Sequence, residues 1–347
     1  MKKLLYTFYF LCFFWASSFA GNPDRQGEAG AYELLMNPWA RSAGLHTMST
    51  SFVRGVEALQ LNVAGLARIN KTEILAGHSL YLQGTDIRTN AFGIGQRVGK
   101  SGAFGISIMT LDFGDILVTT TNQPEGTGAT FSPSFFNLGL SYSHVFENKV
   151  SVGITLRGVS EAIADVSAFG LAIDAGVQYV TGAQDNFKFG ISLRNIGSRM
   201  TFGGEGLATQ GPSPNQGGYS LTFEQRIASF ELPSTLNIGL SYDFLFSETH
   251  RITALGNFTA NSFSRDEIGG GLEYSLNDMF MLRAAYRYEI GVEDEVEASV
   301  YSGLSAGASI EVPLSKENKN TRFGIDYAYR ATRVWNGTHN ISVKIAI

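Results

Sequence analysis

Phe136-Asn137-Leu138-Gly139-Leu140-Ser141-Tyr142-Ser143 decides how this chain folds, because every even position is apolar or aromatic and every odd one is small or polar. A period of two belongs to a β-strand whose two faces meet different surroundings. The stretch Phe169 to Tyr179 repeats the pattern, setting Phe169, Leu171, Ile173, Ala175, Val177 and Tyr179 against Gly170, Ala172, Asp174, Gly176 and Gln178. Phe323 to Arg330 and Ile341 to Ile347 follow the same rule, the last with Lys344 on its second face.

Outward from these stretches, alternation predicts strands near 72–85, 88–98, 102–112, 134–146, 149–160, 168–181 and 186–197. A second set follows near 232–246, 249–261, 264–275, 279–291, 300–312, 320–331 and 338–347. Fourteen is an even number, and each segment has the roughly 9 to 11 residues that a tilted membrane-crossing strand needs. The connections after even-numbered strands are brief: Lys100-Ser101-Gly102, Glu147-Asn148-Lys149, Gly182 to Asp185, Ser247-Glu248-Thr249, Asn277-Asp278 and Ser315 to Asn320. The long ones, Asp112 to Pro133, Gly197 to Glu231 and the acidic Gly291 to Glu297, all follow odd strands. Outer-membrane barrels sort their loops in this way, with short periplasmic turns and longer outer loops, whereas a soluble sandwich has no reason to.

Alternation alone does not separate the two folds. The richness of the apolar face in aromatics, as at Tyr286, Tyr288, Tyr327 and Tyr329, favours lipid, where aromatic girdles mark the interfaces. The fold expected is therefore all-β, a 14-stranded antiparallel transmembrane β-barrel spanning 71–347, preceded by a short helical N-terminal segment. The opposite face carries Arg157, Asp174, Arg194, Asp243, Arg283, Arg287, Glu289, Asp326, Arg330 and Lys344, which are expected to face the lumen and pair across strands.

Composition narrows the function. There are 26 Lys plus Arg against 31 Asp plus Glu, a formal charge of −5, which argues against a nucleic-acid partner. The one cysteine, Cys12, leaves no disulfide scaffold, thiol relay or Cys-based metal site. It lies in the apolar core of residues 1–20, where Lys2 and Lys3, the run from Leu4 to Trp15 and the small-residue end Ser18-Phe19-Ala20 read as a cleavable secretory signal. Residues 21–70 have a different texture: Ala31 to Met36 and Phe52 to Leu61 look like short helices, broken by Asn37-Pro38-Trp39.

Within that segment, Ala40-Arg41-Ser42-Ala43-Gly44-Leu45 and then Asn62-Val63-Ala64-Gly65-Leu66-Ala67 resemble the two opening motifs of the PorV/PorQ family. Val63 stands where the family has proline, and Val53-Arg54-Gly55-Val56-Glu57 replaces an acidic pair. Arg41, Gly44, Asn62 and Gly65 are the motif residues. The resemblance implies a FadL-like barrel in the outer membrane of a Gram-negative bacterium, long loops extracellular. It also implies an accessory role in type IX secretion, through contacts with the translocon channel subunit and with cargo bearing C-terminal signal domains. Gly44 and Gly65 would permit tight backbone turns, or are ordinary turn glycines.

Sites of chemistry are sparse. Gly303-Leu304-Ser305-Ala306-Gly307 matches a nucleophile elbow, but alternation continues through Val312 where the elbow needs a helix. The histidines His46, His78, His144, His250 and His339 are unpaired in sequence. Gly93-Ile94-Gly95 with Gly99 misses dinucleotide spacing, and Glu293-Asp294-Glu295 with Glu297 matches no calcium loop. No catalytic, metal or cofactor residue is assigned, and no enzyme is expected. The alternative to secretion is a FadL-like conduit for hydrophobic small molecules. A continuous apolar pocket would favour that conduit, and a lumen blocked by ion pairs would favour docking.

Overall fold

The computed structural model describes residues 21–147, 149–213, 219–292, 298–314 and 321–347. The leader expected over 1–20, the acidic cluster at 293–297 and the turn at 315–320 lie outside the described residues.

Fourteen antiparallel strands close into one barrel: β1 (Thr72–Leu80), β2 (Arg88–Val98), β3 (Gly102–Asp112), β4 (Ser134–Phe146), β5 (Val150–Ile163), β6 (Val166–Thr181), β7 (Phe187–Gly197), β8 (Thr235–Leu245), β9 (His250–Asn261), β10 (Glu267–Leu276), β11 (Phe280–Glu289), β12 (Tyr301–Pro313), β13 (Arg322–Thr332) and β14 (Thr338–Ala346). The last strand pairs with the first, Ile74 opposite Ile345, so no edge is left with unpaired backbone groups. Apolar side chains such as Phe104, Leu140, Ile154, Leu171, Leu282 and Ile310 stand outward and exposed, as a lipid-facing surface requires.

Strand bounds differ from the expectation chiefly at β1, which stops at Leu80. Leu82, Gly84 and Asp86 all take positive φ, which no strand accommodates, and Tyr81 N–H closes the loop on the Ile87 carbonyl at 2.9 Å. The connection between β5 and β6 is tight although it lies at the long-loop end. These two strands run on for 14 and 16 residues and meet at Ala164-Asp165, with Ala164 at φ 48°.

Residues 21–71 thread the barrel. Asn22 N–H bonds the Ser264 carbonyl at the long-loop end, and Ile69 accepts from Arg97 Nε at the short-turn end. Between them lie short helical segments: Pro23–Arg25, Tyr32–Leu35, Ala40–Ala43, Gly55–Glu57, Ala58–Leu61 and Val63–Arg68. Pro23–Arg25, Ala40–Ala43 and Val63–Arg68 were not among the predicted helices. Helices this short are not stable alone and owe their form to packing. Trp39, Val56, Leu59 and Leu66 are buried and form one apolar cluster with Leu75, Ala91, Ala103 and Met109 from the wall. Glycines on the inward face of the wall make room for the plug. A Cβ at Gly190 would lie 2.4 Å from the Thr50 carbonyl, and one at Gly176 would lie 2.0 Å from Asn62 Oδ1.

The long connection between β7 and β8 also turns inward. Met200 and Leu232 are buried with Ala31 and Leu34, and Phe202 and Phe230 pack against them, so part of this loop caps the plug.

Candidate functional site

The site is the plugged lumen, and its motif residues hold plug to wall. Asn62 caps the Val63–Arg68 turn by accepting from Ala64 N–H, while its Nδ2 donates to the carbonyls of Thr50, Val177 and Ile191 at 2.9, 3.1 and 3.3 Å. Gly65 sits where a Cβ would lie 2.0 Å from the Val53 carbonyl oxygen. Gly44 takes ordinary helical φ, and its value is proximity to the wall: a Cβ there would stand 3.1 Å from the Gly307 backbone. Arg41 reaches Glu273 at 2.9 Å and Glu311 at 3.6 Å, and these carboxylates hold its guanidinium further into the charged form.

The inward charges form three groups. In the first, Glu273 also accepts from Arg283 at 3.2 Å, Glu311 pairs with Lys344, and Arg283 continues to Ser309, which bonds Asp326. In the second, Arg157 is 2% exposed and pairs with Asp174 at 2.7 Å. The Nη2 that makes this pair also donates to the Leu59 carbonyl of the plug, and Nη1 donates to Gln60 Oε1. Asp174 stands at a register shift between β6 and β7, where its other oxygen accepts from Asn195 N–H at 2.7 Å. In the third, Asp243 pairs with Lys188 and accepts from Thr253. Elsewhere Arg194 donates to the Leu34 carbonyl, Arg287 pairs with Glu267 at 2.9 Å, Glu289 accepts from Ser299 N–H, and Arg330 lies 4.5 Å over the Tyr301 ring. Glu273, Glu311 and Lys188 were not among the residues expected in the lumen, although alternation puts them on the same face as those residues. Ser305 is buried and donates to the Gly44 carbonyl, with no histidine among its partners.

Cavities remain at both ends. Two of about 280 and 390 Å3 open at the short-turn end and share Arg41, Phe52, Arg54 and Arg68. A third of about 470 Å3 at the long-loop end has Tyr32, Leu35, Met36, Met48 and Phe263 beside Arg194 and Arg330. It shares no lining residue with the other two. His46 lines it with both ring nitrogens unpartnered, and burial pushes its pKa well below the usual histidine value.

One family, described as type IX secretion system membrane protein PorP/SprF, matches residues 70–345, which is the whole barrel without the plug. The chain belongs to the PorP/SprF family. Type IX secretion and the FadL-like barrel thus agree with the resemblance drawn from the motifs, while no comparison names PorV/PorQ. No curated protein is similar in sequence to this PorP/SprF member. Among solved structures, the Ralstonia pickettii toluene transporter TbuX is 14% identical over 89% of this chain and 97% of that one, at a TM-score of 0.54. The Pseudomonas putida toluene transporter TodX is 14% identical over 87% and 96%, at 0.53. A Pseudomonas aeruginosa FadL homologue is 11% identical over 89% and 98%, at 0.51. At such identities the likeness is one of fold.

A buried acid pair in this PorP/SprF barrel gives a pH-dependent prediction. Neither Glu33 carboxylate oxygen meets a donor, and burial, with the Glu161 carboxyl beside it, pushes the Glu33 pKa up to about 8. The folded protein then holds a proton that the unfolded chain releases. Stability therefore falls as pH rises from the usual carboxylate range through about 8, and levels off above. Melting followed on gels between about pH 5 and pH 9 should show this decline, on the order of a few kcal/mol, and Glu33→Gln should flatten it. A decline that persists undiminished in Glu33→Gln would assign it to another group.

Proposed function

We propose that this protein is a non-enzymatic docking component of type IX secretion in the Gram-negative outer membrane. In this reading the leader is removed on export, residues 21–70 act as a hatch, the short turns face the periplasm and the long loops face outward. The barrel meets the translocon channel subunit and cargo carrying C-terminal signal domains through those two ends. Family membership supports the secretion role, and one observation favours docking over conduction: the lumen is filled by a packed segment tied to the wall by ion pairs. The PorV/PorQ-like opening motifs supply ion pairs through Arg41 and hydrogen bonds to the wall through Asn62. Deleting the gene should leave proteins with the type IX C-terminal signal unexported or unattached to the surface, scored by fractionation. Unchanged export and attachment would refute the role.

A second reading, a conduit for hydrophobic small molecules, draws on the partly apolar cavity at the long-loop end and on the fold shared with toluene transporters. It requires the plug to move, because packed plug residues separate this cavity from those at the other end, with which it shares no lining residue. Uptake of a radiolabelled aromatic hydrocarbon into proteoliposomes would support it, and uptake no faster than in protein-free vesicles would remove it.

A further inference from the structure

Arg54 stands at the junction of the two short-turn-end cavities, exposed to them, and among the described residues it has neither a hydrogen bond nor an ion pair. Its place is fixed by the backbone. Gly55 takes φ +76°, and a Cβ there would strike the Glu73 carboxylate, so the chain turns sharply after Arg54 and leaves its side chain facing open space. Four carboxylates around it already have cations: Glu273 has Arg41 and Arg283, Glu311 has Lys344, Asp243 has Lys188, and Asp278 has Arg251 at 2.8 Å; Glu73, Glu57 and Asp326 are held by Val56 N–H, Ser42 N–H and the Ser309 hydroxyl. Its charged neighbours Arg41 and Arg251 add like charge. Arg68 alongside gives one Nη to the Lys149 carbonyl and leaves Nε without a partner. A guanidinium offers five donors in a planar fork that matches a carboxylate or phosphate, so an anion completes this arrangement.

The surroundings select among anions. Carboxylates outnumber cations by one on the walls of the two cavities, Arg54 included, so a doubly charged phosphate meets more repulsion than a single negative charge seated on the Arg54 guanidinium. Phe52, Leu45 and Trp39 line the first cavity beside it and offer an apolar surface next to the charge. The volume of about 280 Å3 exceeds what a bare carboxylate fills.

We propose that Arg54, with Arg68 beside it, binds a singly charged carboxylate carried on an apolar stem and entering from the short-turn end. Two sources share that chemistry, the free chain end of a polypeptide and a small organic acid. The peptide source rests on the docking reading above; the site itself does not.

The test is isothermal titration of the full chain in detergent with four probes: N-acetyl-Gly-Gly-Phe with a free carboxylate, the same peptide as its C-terminal amide, hexanoate, and inorganic phosphate. Saturable binding of a carboxylate probe at least tenfold tighter than the amide and phosphate is expected, and Arg54→Gln should bring it down to the amide level. Arg54→Lys should retain part of it, since the charge survives and the fork does not. Tighter binding of the peptide acid assigns a chain end, and tighter binding of hexanoate assigns a small organic acid. Equal binding of acid and amide, equal binding of phosphate, or an undiminished titration in Arg54→Gln overturns the proposal. Arg54 has no hydrogen bond or ion pair among the described residues, so the variant should keep the wild-type heat-dependent gel mobility, and an Arg68→Gln variant gives an independent loss. Because the assay uses the isolated barrel, its outcome is separate from any export phenotype.

Discussion

Replacing Arg157 by methionine is expected to destabilise the plugged barrel by about 3–5 kcal/mol, the cost of leaving a buried charge without its partner. Asp174, 4% exposed, would lose the guanidinium, and Gln60 Oε1 and the Leu59 carbonyl would lose their donors together. Removing both charges separates the pair energy from the desolvation. The double variant Arg157→Met with Asp174→Asn keeps an oxygen for Asn195 N–H and removes both charges of the pair, leaving Arg194 with the Leu34 carbonyl as its acceptor. It should regain most of the loss, because well-packed neutral replacements of buried pairs are often near neutral. The readout is the temperature at which the unboiled, compact band on a gel converts to the unfolded one. A single variant that converts within a degree or two of wild type would show that the Arg157 guanidinium does not hold plug to wall.

Gly65→Ala should unseat the plug. Helix propensity alone predicts a gain of roughly 0.5–1 kcal/mol, since glycine inside a helical turn is the poorer residue. The structure reverses that sign. The new Cβ would lie 2.0 Å from the Val53 oxygen and 3.0 Å from the Ala58 Cβ, and neither neighbour is a flexible side-chain end that could swing away. Overpacking of this kind costs about 3 kcal/mol. The strain falls on the plug rather than on the hydrogen-bonded wall. The barrel should therefore still form while trypsin gains access to Arg54 and Arg68 and single-channel conductance rises. Gly256→Ala is the matched control, because its Cβ meets nothing closer than 3.9 Å. Equal trypsin resistance in the two variants would show that the close approach at Gly65 is tolerated.

Legibility in the sequence follows the range of the interaction that fixes each feature. Strand identity is encoded locally: Leu138, Leu140 and Tyr142 mark one face and Asn137, Gly139 and Ser141 the other, without reference to the rest of the chain. Fourteen strands, their order and the end that carries the long loops could therefore be read from residues a few positions apart. The charged face was legible for the same reason.

The sequence alone determined a closed barrel with its greasy side outward and its charges inward, because a strand's period records which solvent each face meets. The tertiary structure alone decided what fills the lumen. Gly176 gives way to Asn62, Gly190 to Thr50 and Arg157 to Gln60 across separations of about a hundred residues or more, and no periodic signal carries such pairings. It also decided which charges pair. Arg157 and Arg54 are equivalent as residue types, yet one is buried against Asp174 and the other faces open space, because a guanidinium's partner is set by which wall the folded chain brings to it.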